Sequence, residues 1–313
     1  MTFSFSRPFA ALIFVLVAGG LLAAPPRTRR ALPPKWTQST RDVFFDDART
    51  KLVGNRPDRT AGGDAPAMAE SGAPSDTAAG GQFAWSKLIS AEVLEDEIKS
   101  MARELEQDLA SVTKFKSGSY KGARMHLSVL ATMFGVIGEY DGDVRWKKEA
   151  PALRDLLARA GFNCKVGTDP AFKEAKARSV DLEALIRGSG LSVAKSEPAA
   201  KWSAVTGRPP LMQRMEAAQQ QGLSVWTASA GELTKNSQKA LHEAQLITAL
   251  AYVIRHEGFE SADDDSYLGF AKALQQHASE AAGAIKQGDY GRARKEVGEI
   301  EKSCSACHEG FRG

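Results

Sequence analysis

The 313-residue chain contains only three cysteines and five histidines, and its charge is nearly balanced. Three cysteines cannot build the disulfide framework of a small secreted scaffold. A net charge of +3, from 41 basic and 38 acidic residues, gives no basic footprint of the kind that nucleic-acid binding needs. Aromatic residues are sparse and convincing strand alternation is lacking. Nothing resembles a catalytic triad or a general-base pair, so the chain is not interpreted as an enzyme.

Two of the cysteines belong to the run Cys304-Ser305-Ala306-Cys307-His308 close to the C-terminus. C-x-x-C-H is the attachment signature of a c-type haem. The two thiols can add to the two haem vinyl groups, and the neighbouring imidazole can bind the iron axially. Positions i, i+3 and i+4 share one face of a helix. The spacing therefore predicts that Cys304, Cys307 and His308 point at one flat group, a single covalent haem c.

Two other interpretations of the motif are a zinc site and a redox dithiol. Structural zinc needs four nitrogen or sulfur ligands, usually in two spaced pairs. The only further cysteine is Cys164, so a second pair is missing. A thioredoxin-like dithiol would lie beside a βαβ pattern, and the sequence shows none. Cys164 itself is expected to be a small buried or half-buried residue, and a regulatory thiol is the alternative.

The N-terminal region predicts export. Arg7 precedes an apolar run, Phe9 to Ala24, that is short for a membrane span. We expect a signal peptide or a short anchor over residues 1–24 and a disordered linker over 25–84, rich in Pro, Gly, Ala and Ser. The mature chain would be periplasmic or otherwise extracytoplasmic. It would meet the membrane only if the N-terminal segment stays uncleaved.

The rest of the chain shows apolar stripes at helical spacing. Asp289, Gly288 and the acidic run before Tyr267 are expected to cap the last helices, and Asp169-Pro170 an earlier one. The predicted fold is all-α, with two tandem antiparallel four-helix bundles. The stripes before the C-terminus are Leu211, Met215, Ala218; Ala240, Ala244, Ile247, Ala251, Ile254; Tyr267, Ala271, Leu274, Ala278, Ala281, Ile285; and Tyr290, Ala293, Val297, Ile300, Cys304, Cys307.

Three stripes of the preceding region repeat this pattern 117 or 118 positions earlier, which suggests a duplication. Leu94 and Ile98 precede Leu211 and Met215 by 117 positions. In this alignment Ile186 takes the place of Cys304, and no histidine follows. The sequence thus predicts a haemless bundle over residues 85–190 and a haem domain over 205–313. The alternative explanation is that the apolar stripes of any two helical bundles can be aligned with each other by chance.

The C-terminal run resembles the last helix of the cytochrome c′ family, the class II c-type cytochromes. The residues that carry the resemblance are Lys302-Ser303-Cys304-Ser305-Ala306-Cys307-His308-Glu309-Gly310-Phe311-Arg312, and, in an earlier helix, Arg208-Pro209-Pro210-Leu211-Met212-Gln213-Arg214-Met215. The two prolines beside Arg208 depart from the family pattern. The resemblance implies that Cys304 and Cys307 anchor the haem and that His308 is its proximal ligand. It further implies that Arg208 lies near a haem propionate, Arg312 near the haem edge and Met212 on the distal side.

The sixth coordination position separates the candidate functions. A methionine bound there suits an exported electron-transfer cytochrome with a redox partner protein, whereas an open position suits a haem protein that binds NO or CO. The sequence favours ligation by Met212, because Met215 lies on nearly the same face and no bulky aromatic is expected nearby. Packing by Met212, or ligation by His277, are the alternatives. Phe270 is expected to pack in the core or on the haem.

The haemless bundle has two expected roles. It could dock a redox partner or a membrane complex. Members of the family are often dimers through their first two helices. The resemblance therefore implies either a homodimer or a first bundle that replaces this contact within one chain.

Overall fold

A computed structural model describes residues 83–189, Ser196 and 201–312 of the protein. The described residues form helices and turns, and none of them lies in a strand, so the expected all-α fold is confirmed. Among them, no helix has the length and hydrophobicity needed to cross a membrane. The signal peptide or anchor expected over 1–24, and the linker expected over 25–84 apart from its last two residues, lie outside the described residues.

Eight principal helices build the described chain. They are α1 (Ala91–Asp108), α2 (Tyr120–Glu139), α3 (Ala150–Asn163), α4 (Asp169–Ile186), α5 (Arg208–Ala217), α6 (Ala230–Val253), α7 (Asp265–Gln287) and α8 (Tyr290–Phe311). Shorter turns of helix lie at Trp85–Lys87, Val112–Lys114 and Trp202–Val205, and Ser224–Trp226 ends the helical run that α5 begins. Two π-helical segments, Phe115–Ser119 and Ala218–Leu223, adjoin α2 and α5.

Most of the expected helix ends are confirmed. Asp264 caps α7 by accepting hydrogen bonds from the backbone N–H groups of Ser266 and Tyr267. Gly288 ends α7 in the left-handed conformation, with φ of 69°, which a residue without a Cβ adopts freely. Asp289 then caps α8. The expectation that Asp169-Pro170 caps α4 is wrong, because the cap is Thr168 and Asp169-Pro170 form the first turn.

The helices pack in two sets, one in residues 83–189 (the first half) and one in residues 201–312 (the second half). In the first half α1 contacts α2 and α4, while α3 contacts both α2 and α4. In the second half α7 contacts α6 and α8, and the π-helical segment Ala218–Leu223 contacts the same two helices, α6 and α8. In each half the last helix therefore contacts the first long helical run of that half, which is α1 in the first half and the run from α5 through Leu223 in the second.

The two halves also pack against each other. Helix α5 of the second half contacts α2 of the first, and α1 contacts α6. Trp202 lies so close to Gly135 that a Cβ on Gly135 would stand 2.8 Å from the indole ring. The buried apolar residues of both halves form one connected cluster. The core is therefore continuous across the junction.

Candidate functional site

The C-x-x-C-H motif lies in the last two turns of α8. This helix runs from Tyr290 to Phe311, so the expected helical setting of the motif is confirmed. Val297 and Ile300 are buried on the face that leads to the motif. Cys304 packs against the core as a half-buried residue at the end of this face. The apolar stripe of α8 thus directs the motif toward the interior of the second half.

Cys304, Cys307 and His308 line one cavity of about 490 Å³. Cofactor and ligand pockets usually have volumes of about 300–1,000 Å³, so the cavity is large enough for a prosthetic group. The other residues that line it are Met212, Met215, Glu216, Gln219, Gln220, Ser224, Ile254, Tyr267, Phe270, Ala271, Leu274, Glu301, Ser303, Ser305, Glu309 and Arg312. These residues come from α5, the turns that follow it, the end of α6, α7 and α8.

The cavity has an apolar wall and a charged rim. Met215, Ile254 and Leu274 are buried apolar residues that line it. The charged side chains in the lining, Glu216, Glu301, Glu309 and Arg312, are all exposed. A flat apolar group with a polar edge, held by two sulfurs and an imidazole, fits this combination of residues. The donor set and the apolar lining are therefore both compatible with a haem c.

Both motif thiols are held in their protonated form. Burial raises the pKa of the Cys304 thiol to about 11, and the nearby Cys307, Glu301 and Glu216 act in the same direction. Burial also raises the pKa of Cys307, which the positive charge of Arg208 opposes. A thiolate is the better nucleophile, so both thiols are less reactive than an ordinary exposed cysteine.

Met212 and Met215 both contribute to the cavity wall from α5, Met212 half-buried and Met215 buried. The expectation that no bulky aromatic lies nearby is wrong. Tyr267 and Phe270, one turn apart on α7, line the same cavity. Their rings also contact the ring of Phe311 at the end of α8. Phe270 is half-buried in the cavity lining, and its packing on a haem stays a prediction.

Arg312 lines the cavity, whereas Arg208 lies beside it. Arg208 is buried at the start of α5, with the two prolines in the first turn, where a missing N–H costs nothing. Its guanidinium donates to the Phe311 carbonyl at 3.3 Å, to the Glu260 carbonyl at 3.0 Å and to the Glu260 carboxylate at 2.9 Å. It also lies over the ring of Tyr267. Arg208 therefore holds the end of α8 against α7.

The remaining histidines are bound away from the cavity. His277, the alternative axial ligand, is absent from the cavity lining, and its Nδ1 lies 2.8 Å from the Glu296 carboxylate. His126 contacts Asp108 in the first half. His242 contacts the Glu97 carboxylate. His256 contacts the backbone carbonyls of Tyr252 and Val253. Among the described residues, no group of three or more His, Cys, Asp or Glu side chains is arranged so that it could by itself hold a metal ion.

Sequence reasoning missed much of the wall that faces the motif. Glu216 and Gln219 follow Met212 at i+4 and i+7, so this spacing could have indicated a shared face. Gln219 lies in the π-helical segment after α5, a type of irregularity that is frequent at functional sites. Its Nε2 donates to Ser224 Oγ and to the Val297 carbonyl, which joins this segment to α8.

Comparison of the chain with family models, with curated proteins and with solved structures finds no significant match.

Proposed function

We propose that the protein is an exported c-type cytochrome that carries one covalent haem c and transfers electrons to or from a redox partner protein. The observation that carries this proposal is the convergence of Cys304, Cys307 and His308 on one cavity. Thiols at i and i+3 and an imidazole at i+4 of a helix suit two thioether bonds and one axial ligand on the same group. The extracytoplasmic location rests on the apolar segment from Phe9 to Ala24.

The bound haem would supply one-electron chemistry between ferrous and ferric iron. Cys304 and Cys307 would fix its position on α8, and His308 would bind the iron from the same helix. Ile254, Leu274 and Phe270 would exclude water from its faces. Burial and the axial ligand are the protein's means of setting a haem potential.

The proposed architecture is two tandem antiparallel four-helix bundles, of which the second is cytochrome c′-like. Two features support it. Each half closes its helices into a ring of contacts, and the motif lies on the last helix of the second ring. The first half has Ile186 at the position aligned with Cys304, and it is proposed to bind no haem.

Binding of NO or CO at an open iron position is the second candidate function. The observation that favours it is the aromatic pair Tyr267 and Phe270 in the cavity lining, because bulky side chains compete with a methionine for the space beside the iron. Met212 decides between the candidates. A thioether bound to iron suits electron transfer, and an unbound one leaves the position open.

The first test is the intact mass of the protein after export and maturation. We expect the mass of one haem on the wild-type chain, and the haem should survive acid–acetone extraction. Exchange of both motif cysteines, Cys304→Ala with Cys307→Ala, should abolish the covalent haem. Cys164→Ala is the matched control and should retain it, since Cys164 is buried in the first half. Two haems, or none on the wild type, would contradict the proposal.

The second test concerns the sixth position. Met212→Leu keeps the apolar volume but removes the sulfur, so it should convert a low-spin spectrum to a high-spin one and permit CO binding by the reduced protein. Met101→Leu, a buried position in the first half, serves as the control and should change neither. If the wild type is already high-spin and binds CO, then Met212 does not bind the iron and only packs in the cavity wall. That result would favour the gas-binding function.

A further inference from the structure

Helix α5 lies between the cavity and the first half of the chain. Met212 and Met215 line the cavity from one side of the helix. Leu211 and Arg214, three positions apart, are buried in the same helix but do not line the cavity. The helix contacts α2 of the first half as well as α6 of its own half. The position of the two methionines therefore depends on what holds the far side of α5.

A buried ion pair with the first half holds this far side. Arg214 Nε and Nη2 donate to the two carboxylate oxygens of Glu97 at 2.7 and 3.0 Å, a bidentate arrangement. Glu97, on α1, is 1% exposed and Arg214 is 7% exposed. His242 of α6 lies 2.9 Å from the same Glu97 carboxylate, and Glu243 forms a second ion pair with Arg214. One carboxylate of the first half thus joins three helices at the junction.

This ion pair fixes geometry more strongly than surface contacts can. A bidentate arginine–carboxylate pair sets both a distance and an orientation. Removing one partner leaves the other charge buried and uncompensated, which is strongly unfavourable. Arg214 lies between Met212 and Met215 in the sequence, so a shift of its guanidinium moves the backbone that carries both sulfurs.

We propose that Glu97 is a positioning residue of the haem site, supplied by the haemless first half. It holds Arg214, and through it α5, so that the methionine wall lies at a fixed distance from the motif on α8. This inference rests on the proposed haem function and assigns a role to the first half within it. The site of the second half is then incomplete without the first half.

The test uses the full chain with Glu97→Gln, which keeps the side-chain shape but removes the charge. Hydrogen exchange of the haem-free chain should show faster opening of residues 211–219. The expected increase is about tenfold or more, the factor that corresponds to loss of a charge-assisted hydrogen bond. The haem-loaded variant should keep one covalent haem but bind CO at a changed rate in its reduced form, or show altered axial coordination in its spectrum. Arg214→Lys, which keeps the charge but loses the bidentate geometry, should act in the same direction.

Glu174→Gln is the matched control. Glu174 accepts hydrogen bonds from Arg159 and Asn163. Both of these partners lie in the first half and not on α5. Glu174→Gln should leave exchange of 211–219, the spectrum and CO binding unchanged. The inference would be overturned if Glu97→Gln and the control had the same hydrogen-exchange rates over residues 211–219 and the same rate of CO binding. Absence of covalent haem from the wild type would instead refute the proposed function, while the exchange experiment on the haem-free chain would still decide whether Glu97 holds α5.

Discussion

Single residues show where sequence reasoning succeeds and where it stops. The C-x-x-C-H motif is local, so three side chains within five positions predict their own geometry. Glu97 and Arg214 are 117 positions apart, and each lies on a helix whose charged residues are ordinarily expected to face water. Their mutual burial depends on how two helices from different halves meet. A single sequence holds no local signal for such a meeting.

Acid titration should reveal the buried Glu97. Burial alone would raise its pKa, but the hydrogen bond from His242 and the charge of Arg214 outweigh this and lower the pKa to about 2. An ordinary unfolded glutamate has a pKa of about 4.3. The contribution of Glu97 to stability is therefore complete above about pH 4.3 and is lost as the pH falls toward about 2. The size of this contribution is about 3 kcal/mol.

Chemical denaturation of the full chain at a series of pH values measures this contribution. The free energy of unfolding of the wild type should fall between about pH 4.3 and 2 more steeply than that of Glu97→Gln, which has no proton to gain there. The difference between the two proteins should be largest near neutral pH. A constant difference across the acid range would show that the carboxylate of Glu97 is not stabilised as a charge.

At the scale of elements, helix ends were the most predictable feature. Asp289 accepts a hydrogen bond from the Arg292 N–H at the start of α8, as the sequence indicates. Capping is read from a few neighbouring residues, which is why it can be predicted. The π-helical segment after α5 was not predicted, because its register is set by packing against α6 and α8 rather than by local preference. Part of the cavity wall was missed for the same reason.

Loss of the N-cap of α8, the helix that carries the whole motif, should lower the stability of the protein by a measurable amount. Asp289→Ala should lower the free energy of unfolding by about 1 kcal/mol, the usual cost of losing an N-cap side chain. Thermal or denaturant unfolding of the full chain provides the measurement. Asp263→Ala is the control, since Asp263 is also exposed but lies before the capping residue of α7. Equal effects of the two changes would mean that the cap contributes nothing specific.

At the scale of the whole molecule, the two halves meet in a reciprocal manner. Under the offset of 117 positions, Glu97 and Arg214 are equivalent, and they contact each other. The first helix of each half also contacts the second helix of the other, α1 with α6 and α5 with α2. Reciprocal contacts of this kind are the pattern of a two-fold dimer interface. With Glu97 in one half and Arg214 at the equivalent position of the other, the two halves attract each other at this point. Two identical halves would instead place two like charges against each other there.

Separation of the halves tests how far each depends on the other. Residues 201–313, exported alone with a signal peptide, would expose the faces of Leu211 and Trp202 that are buried in the full chain, and Arg214 would lose Glu97. We expect the fragment to unfold at a temperature lower by roughly 10 °C, which for a domain of about 100 residues corresponds to a loss of about 2 kcal/mol.

Differential scanning calorimetry of the fragment and the full chain makes the comparison, and light scattering reports whether the exposed face drives self-association. A monomeric fragment that loads haem and unfolds at the temperature of the full chain would show two independent bundles. The continuous core across the junction leads us to expect the opposite result.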